Sequence, residues 1–194
     1  MSEIVDVAVE PLDLPLTEPF EISLGVQREA SNLLVPVEPA DATGYGGGSP
    51  LPPVTGETRA AAAATAEAMA SLLPGREVAD HRSLVSEVRS AFPGNPSAAF
   101  AVETAVLDAY CRERGIPLSE LFGGPPEPVA TDLTIPIVSP EKARTDAERA
   151  ARDGFQHLKV KTGNDVPEDV QRLVAAREGA PDAHLQVDDN PGLT

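Results

Sequence analysis

Two lysines one residue apart are the groups in this sequence best placed to do chemistry. The 194-residue chain contains three lysines, and two of them, Lys159 and Lys161, lie in the stretch Phe155-Gln-His-Leu-Lys-Val-Lys-Thr-Gly163. Phe155, Leu158 and Val160 are apolar, and Thr162, Gly163, Asn164 and Asp165 favour a turn. The stretch therefore reads as a short strand running into a loop. Residues i and i+2 of a strand share a face, so the two ammonium groups project side by side near the C-terminal end of the strand. Mutual repulsion favours the neutral form of one of them, and a lysine tuned downward is a general base near neutral pH. The competing reading is a solvated lysine pair guarding an exposed edge strand.

A second set of groups, Asp188-Asp189-Asn190, ends the stretch that begins at His184. A carboxylate at such a strand end suits a hard cation such as Mg²⁺. Beside a lysine base, the metal would stabilise the enediolate left when a proton is removed next to a carboxylate. An ordinary turn is the alternative for Asp and Asn.

The elements that must position these groups follow from the pattern around them. Val129–Ile137 reads as a strand. Ser139-Pro140-Glu141 starts a helix that Gly154 stops. The lysine strand, a helix from about Pro167 to Gly179 and a strand His184–Asp188 complete a β-α-β-α-β run with crossovers of the length a parallel sheet requires. In parallel architectures, functional groups gather at the C-terminal ends of the strands. Upstream, residues 3–9, a short segment from Phe20 and Leu33–Val37 read as strands of a small antiparallel sheet. Pro15–Gly25 and Gly44–Glu57 read as loops, the second too rich in Gly and Pro for regular structure. Thr55 is expected to cap an alanine-rich helix running to Leu73, and Asp80 one ending near Phe92. Ser97 to Gly115 should be a buried helix in which Glu103 and Asp108 have structural partners. A short helix at 118–122 leads to Gly123-Gly-Pro-Pro126, the best linker. The expected domains are 1–124 and 125–194.

Composition narrows the function classes. Acidic residues number 31 against 15 basic ones, for a net charge of −16, and the acids are spread along the chain. Nucleic acid and anionic membranes are poor partners for such a surface, which suits a halophilic cytoplasm. Cys111 is the single cysteine, so no internal disulfide forms and a reduced, cytoplasmic protein is expected. The N-terminus is not a signal peptide and no apolar run reaches membrane-spanning length. There is no phosphate-binding glycine loop, zinc-type spacing or nucleophile elbow. His81, His157 and His184 are scattered and read as surface or structural residues.

Four motifs in order carry a family resemblance. Lys159-Val-Lys161, Leu185-Gln-Val-Asp-Asp-Asn190, Val54-Thr-Gly-Glu57 and the run Gly94-Asn-Pro-Ser-Ala to Asp108 resemble the enolase superfamily. Within it the chain is most similar to the dipeptide epimerase branch of the muconate-lactonizing-enzyme subgroup. The resemblance implies an α+β capping domain, a small antiparallel sheet plus helices, followed by the first β/α units of a TIM barrel. It implies a Mg²⁺-dependent racemase or epimerase acting through an enediolate on a small carboxylate, here a dipeptide such as L-Ala-L-Glu. A muconate cycloisomerase or an o-succinylbenzoate synthase is the alternative within the superfamily. Lys161 would be the acid/base, Lys159 its neighbour and Asp188 the first Mg²⁺ ligand. The loops at 15–28 and 44–57 would close over the site, with Arg28, Gln27, Thr55 and Asn190 as candidate substrate contacts. A homo-oligomer is expected of the full-length form. The chain departs from the family at Gln186, where arginine is common, and at Gly47, where the epimerases carry Glu. A full barrel takes about 250 residues, whereas only residues 125–194 follow the linker. The expectation is therefore an incomplete barrel, with the remaining metal ligands and second acid/base beyond Thr194. A catalytically inactive fragment is the reading from another class.

Overall fold

The computed structural model describes residues 2–22, 25–124, 127–163 and 165–189. By internal contacts the chain forms two units, one of residues 1–15 with 29–127, the other of residues 16–28 with 128–194.

The first unit is built on an antiparallel sheet. Strands β1 (Ile4–Val7), β2 (Glu10–Ile22), β3 (Gly25–Pro39) and β4 (Gly44–Gly48) are ordered β1-β3-β2, with β4 also paired to β3. The outer parts of β2 and β3 belong to the second unit. Residues 15–22 are strand, so the short strand expected from Phe20 is present and the loop expected before it is corrected. Pro15 and Pro19 were the misleading residues: β2 ends the strand order, and prolines are tolerated on an edge strand because no ladder bond is lost there. On β3, Leu33, Val35 and Val37 alternate inward and are buried.

The Gly-rich stretch is also ordered, a second correction. Gly44–Gly48 is a strand in register with β3, from Leu33 opposite Gly48 to Val37 opposite Gly44. Its alternate glycines, Gly44, Gly46 and Gly48, press on helix α4 (Pro96–Glu113), and a Cβ on Gly46 would lie 1.9 Å from the Ala101 carbonyl oxygen. Glycine here removes a side chain so that strand and helix can touch. After β4 comes a one-turn helix α1 (Pro52–Thr55), closed by Gly56 in the left-handed conformation. Helix α2 (Arg59–Ala70) is capped by Thr58, whose hydroxyl accepts from Ala61 N at 3.2 Å, not by Thr55 as expected. The left-handed Gly56 separates the two helices and moves the cap three residues on.

Helix α3 (His81–Ala91) follows Asp80, which makes no side-chain capping bond, and α4 starts at Pro96, one residue before the expected Ser97. Helix α4 buries Ala98, Ala101, Val102, Ala105, Val106 and Ala109. Its polar interior residues find partners. Glu103 accepts from Arg89 Nε at 2.9 Å and Nη2 at 2.5 Å, and Asp108 accepts from Tyr45 N at 2.8 Å and Arg112 Nε at 2.6 Å. Cys111 is fully buried, and burial together with nearby Asp108 pushes its thiol pKa up.

The N-terminus of α4 is satisfied from a distance. Asn95 precedes it without a side-chain capping bond. Instead the buried carboxylate of Glu57 accepts from Ser97 N at 2.7 Å and Ala98 N at 3.3 Å. An anion receiving free amide donors at a helix start is favourable through hydrogen bonding and the helix dipole. Replacing Glu57 with alanine should cost about 2 kcal/mol, the upper range for a lost cap. Glutamine, which retains one acceptor oxygen, should recover part of that. Urea unfolding midpoints of the two variants check the order.

After helix α5 (Leu118–Leu121), the second unit contains β5 (Asp132–Ile135), α6 (Pro140–Arg152), β6 (His157–Lys161), α7 (Val166–Gly179) and β7 (His184–Asp188). The three strands are parallel and ordered β5-β6-β7, the start of a β/α barrel. Helix α6 is capped by the Ser139 hydroxyl and α7 by the Asp165 carboxylate. Ile135, Leu158 and Val160 pack with Ala143, Ala147, Ala150 and Ala176 to form the core between sheet and helices. The outer part of β2 joins this unit through Ile137 N to Glu21 O at 3.0 Å and Lys142 Nζ to Glu18 Oε2 at 2.8 Å. The third lysine is therefore an ion-pairing residue, its ammonium pKa held up by Glu18 and Asp146. Among the described residues no helix is long and apolar enough to cross a membrane.

Candidate functional site

Register determines which side chains meet. Parallel pairing sets His157 opposite His184, Lys159 opposite Gln186 and Lys161 opposite Asp188. Leu158 and Val160 go to the helix side of the sheet, so His157, Lys159 and Lys161 take the other face by alternation. At the C-terminal end of that face Lys161 Nζ donates to Asp188 Oδ2 at 2.8 Å. Lys159 Nζ is 3.9 Å from the same Asp188 oxygen and 3.9 Å from Asp132 Oδ2 on β5. Lys161 is 7% exposed. The lysine pair is not an edge guard: β6 is the middle strand, and one of its lysines is buried.

The pair also has counter-ions that the sequence reading left out. Asp188 serves both ammoniums, and Asp132 stands beside Lys159 at the start of β5. These carboxylates offset the repulsion between the lysines. Asp132 sits on a strand foreseen from the sequence, and the even spacing of the three strands was the available signal that it shares the lysine face.

A network next to Lys161 fixes the end of its strand. Arg172 on α7 is 1% exposed. Its Nε donates to the Val138 carbonyl at 2.6 Å, and its Nη1 to the Lys161 carbonyl at 3.3 Å and to Asp169 Oδ1. Asp169 Oδ2 in turn accepts from Gly163 N at 2.9 Å. One guanidinium thus links the segments that follow β5 and β6, using a fork of donors that lysine lacks. No local sequence pattern marks such a residue.

The other expected site residues are dispersed. Gln27 and Arg28 lie on β3 in the second unit. Gln27 lines a cleft of about 520 Å³ with Phe20, Thr134, Ile135 and Lys142, whereas Arg28 is exposed. Thr55 belongs to the first unit, and its hydroxyl is engaged within its own turn, accepting from Leu51 N at 3.0 Å and lying 3.2 Å from Leu51 O. Asn190 lies outside the described residues. His81 stacks on Tyr110 with ring centres 3.9 Å apart. His157 and His184 are not scattered, as the sequence suggested, but adjacent.

Asp188 offers the hard oxygen donor that Mg²⁺ prefers. Among the described residues no group of three His, Cys, Asp or Glu side chains could hold a metal ion.

Known proteins share the fold. The family model described as mandelate racemase / muconate lactonizing enzyme, N-terminal domain, matches residues 4–123. An aromatic dipeptide epimerase of Herpetosiphon aurantiacus is 39% identical over 96% of this chain and 53% of its own length. A hydrophobic dipeptide epimerase of Citrifermentans bemidjiense is 34% identical over 99% of this chain and 54% of its own length. The crystal structure of a dipeptide epimerase from Cytophaga hutchinsonii, complexed with Mg and the dipeptide D-Ala-L-Val, superposes with a TM-score of 0.91. It is 31% identical, over the whole of this chain and 53% of that one. The chain spans about half the length of the curated relatives it matches.

Proposed function

The chain belongs to the mandelate racemase / muconate lactonizing enzyme family, and on that premise we propose that the protein carrying it is an epimerase that moves the proton α to a substrate carboxylate, with a dipeptide as substrate. The observation that carries this reading is the Lys161–Asp188 pair at the C-terminal ends of neighbouring parallel strands. The names of its relatives support the substrate class.

Lys161 is the acid/base. In its neutral form Nζ takes the α-proton, and the C–H electron pair passes into the adjacent carboxylate to give an enediolate. Lys159, on the same face, is the neighbouring cation. Asp188 holds Lys161 Nζ in place and is the residue of this chain that would ligate Mg²⁺. When bound, Mg²⁺ would supply Lewis-acid stabilisation of the charge that develops on the substrate carboxylate. Inversion also needs an acid on the opposite face of the substrate; Lys159 and Lys161 share one face, so neither can be that group. Arg172 and Asp169 act through the backbone of Lys161 and Gly163 and are positioning residues. Gln27, which lines a cleft, is a better substrate-contact candidate than exposed Arg28.

The test is a substrate panel with Mg²⁺, resolved by chiral chromatography: L,L-dipeptides with acidic, aromatic and aliphatic second residues against muconate-type acids. The proposal expects conversion of at least one dipeptide to its epimer and no lactone from muconate. Lactone formation with every dipeptide unchanged would move the assignment to the cycloisomerases.

A further inference from the structure

His157 and His184 begin β6 and β7 and are direct partners in the parallel register. Neighbouring strands lie about 4.8 Å apart and partner residues share a face. The backbone bond from His184 N to Gln156 O, 2.8 Å, fixes the register at this end. The two imidazole centres are 5.4 Å apart, with ring planes at 59°. Two imidazoles on one tetrahedral ion, with metal–nitrogen bonds of about 2 Å, place their ring centres roughly 5 Å apart. The pair therefore stands at chelating separation without any backbone movement. Among the described residues neither ring has a hydrogen-bond partner.

His157, His184, Phe155 and Asp182 line a cleft of about 510 Å³, and His157 with Thr131, Asp132 and Gln186 lines another of about 320 Å³. The pair is also separate from the catalytic lysine: the four residues from His157 to Lys161 span about 13 Å of strand. Imidazole nitrogen suits Cu²⁺, Ni²⁺ and Zn²⁺, whereas Mg²⁺ seeks oxygen.

We propose that His157 and His184 form a two-imidazole site for a borderline divalent transition-metal ion, at the end of the strands opposite to Lys161 and Asp188. No third His, Cys, Asp or Glu joins them among the described residues. This proposal does not depend on the epimerase reading.

The test is Cu²⁺ titration of the untagged protein, followed by calorimetry and electron paramagnetic resonance. The expected result is one ion per chain with hyperfine splitting from two nitrogens, and no competition from Mg²⁺. The variants His157→Asn and His184→Asn should each weaken binding by more than the ~10-fold that loss of an outer-shell partner costs. His81→Asn, the only other histidine position, should bind as the parent does. Circular dichroism confirms that each variant is folded. Unchanged affinity in both single variants, or an equal loss in His81→Asn, would overturn the site.

Discussion

Gly46→Ala is expected to destabilise the first unit strongly, while Gly47→Ala, one residue away, is neutral. A Cβ at position 46 would lie 1.9 Å from Ala101 O and 2.7 Å from Ala105 N, both backbone atoms of α4. Neither can turn aside as a side chain would, so strand and helix must separate. Overpacking of this kind costs about 3 kcal/mol or more, out of a total stability of about 5–15 kcal/mol. For a chain of this size 3 kcal/mol lowers Tm by roughly 6–12 °C. At position 47 the nearest atom to a Cβ is Leu33 O at 3.9 Å, an ordinary contact. Thermal unfolding of the two variants measures the contrast, and equal Tm values would mean that β4 does not sit against α4 as described.

Arg172→Met should be the most damaging side-chain change in the second unit. It leaves Asp169, 4% exposed, without its cation, and strips the Val138 and Lys161 carbonyls of their donors. Removing one member of a buried ion pair costs about 3–5 kcal/mol, because the other charge stays buried. Arg172→Lys should recover little, since one ammonium cannot reach two carbonyls and a carboxylate together. Adding Asp169→Asn to Arg172→Met should cost less than the sum of the two single changes, because the uncompensated charge is gone. Denaturant midpoints for the parent, the two single variants and the double variant supply the cycle, and strict additivity would show that the residues are not coupled.

What the sequence made legible and what it hid follow from the range of the forces involved. Helices α6 and α7 and strands β6 and β7 could be read to within a residue or so. Ser139-Pro140, Asp165 and Gly154 act on their own neighbours, and such signals survive in any context. The lysine face was equally local, since alternation along β6 needs no partner. Gly44–Gly48 was misread because the reason for its glycines is Ala101, Ala105 and Ala109, far along the chain. Pro15 and Pro19 were misread because only the sheet order makes β2 an edge. Thr55 lost its capping role to Thr58 through the left-handed turn at Gly56. The contributions of Arg172, Asp132 and the His157–His184 pair depend on register and packing across separate elements, which one strand's pattern does not carry.

The central claim is that Lys161 is the base that takes the α-proton. The most direct test is wash-in of solvent deuterium at the α-carbon of the converted dipeptide, followed by NMR with Mg²⁺ in D₂O, for the protein carrying this chain and for its Lys161→Ala variant. Exchange from both epimers in the parent and its loss from one epimer in the variant, with its fold intact by circular dichroism, is the predicted result. Exchange retained by Lys161→Ala from both epimers would contradict the claim.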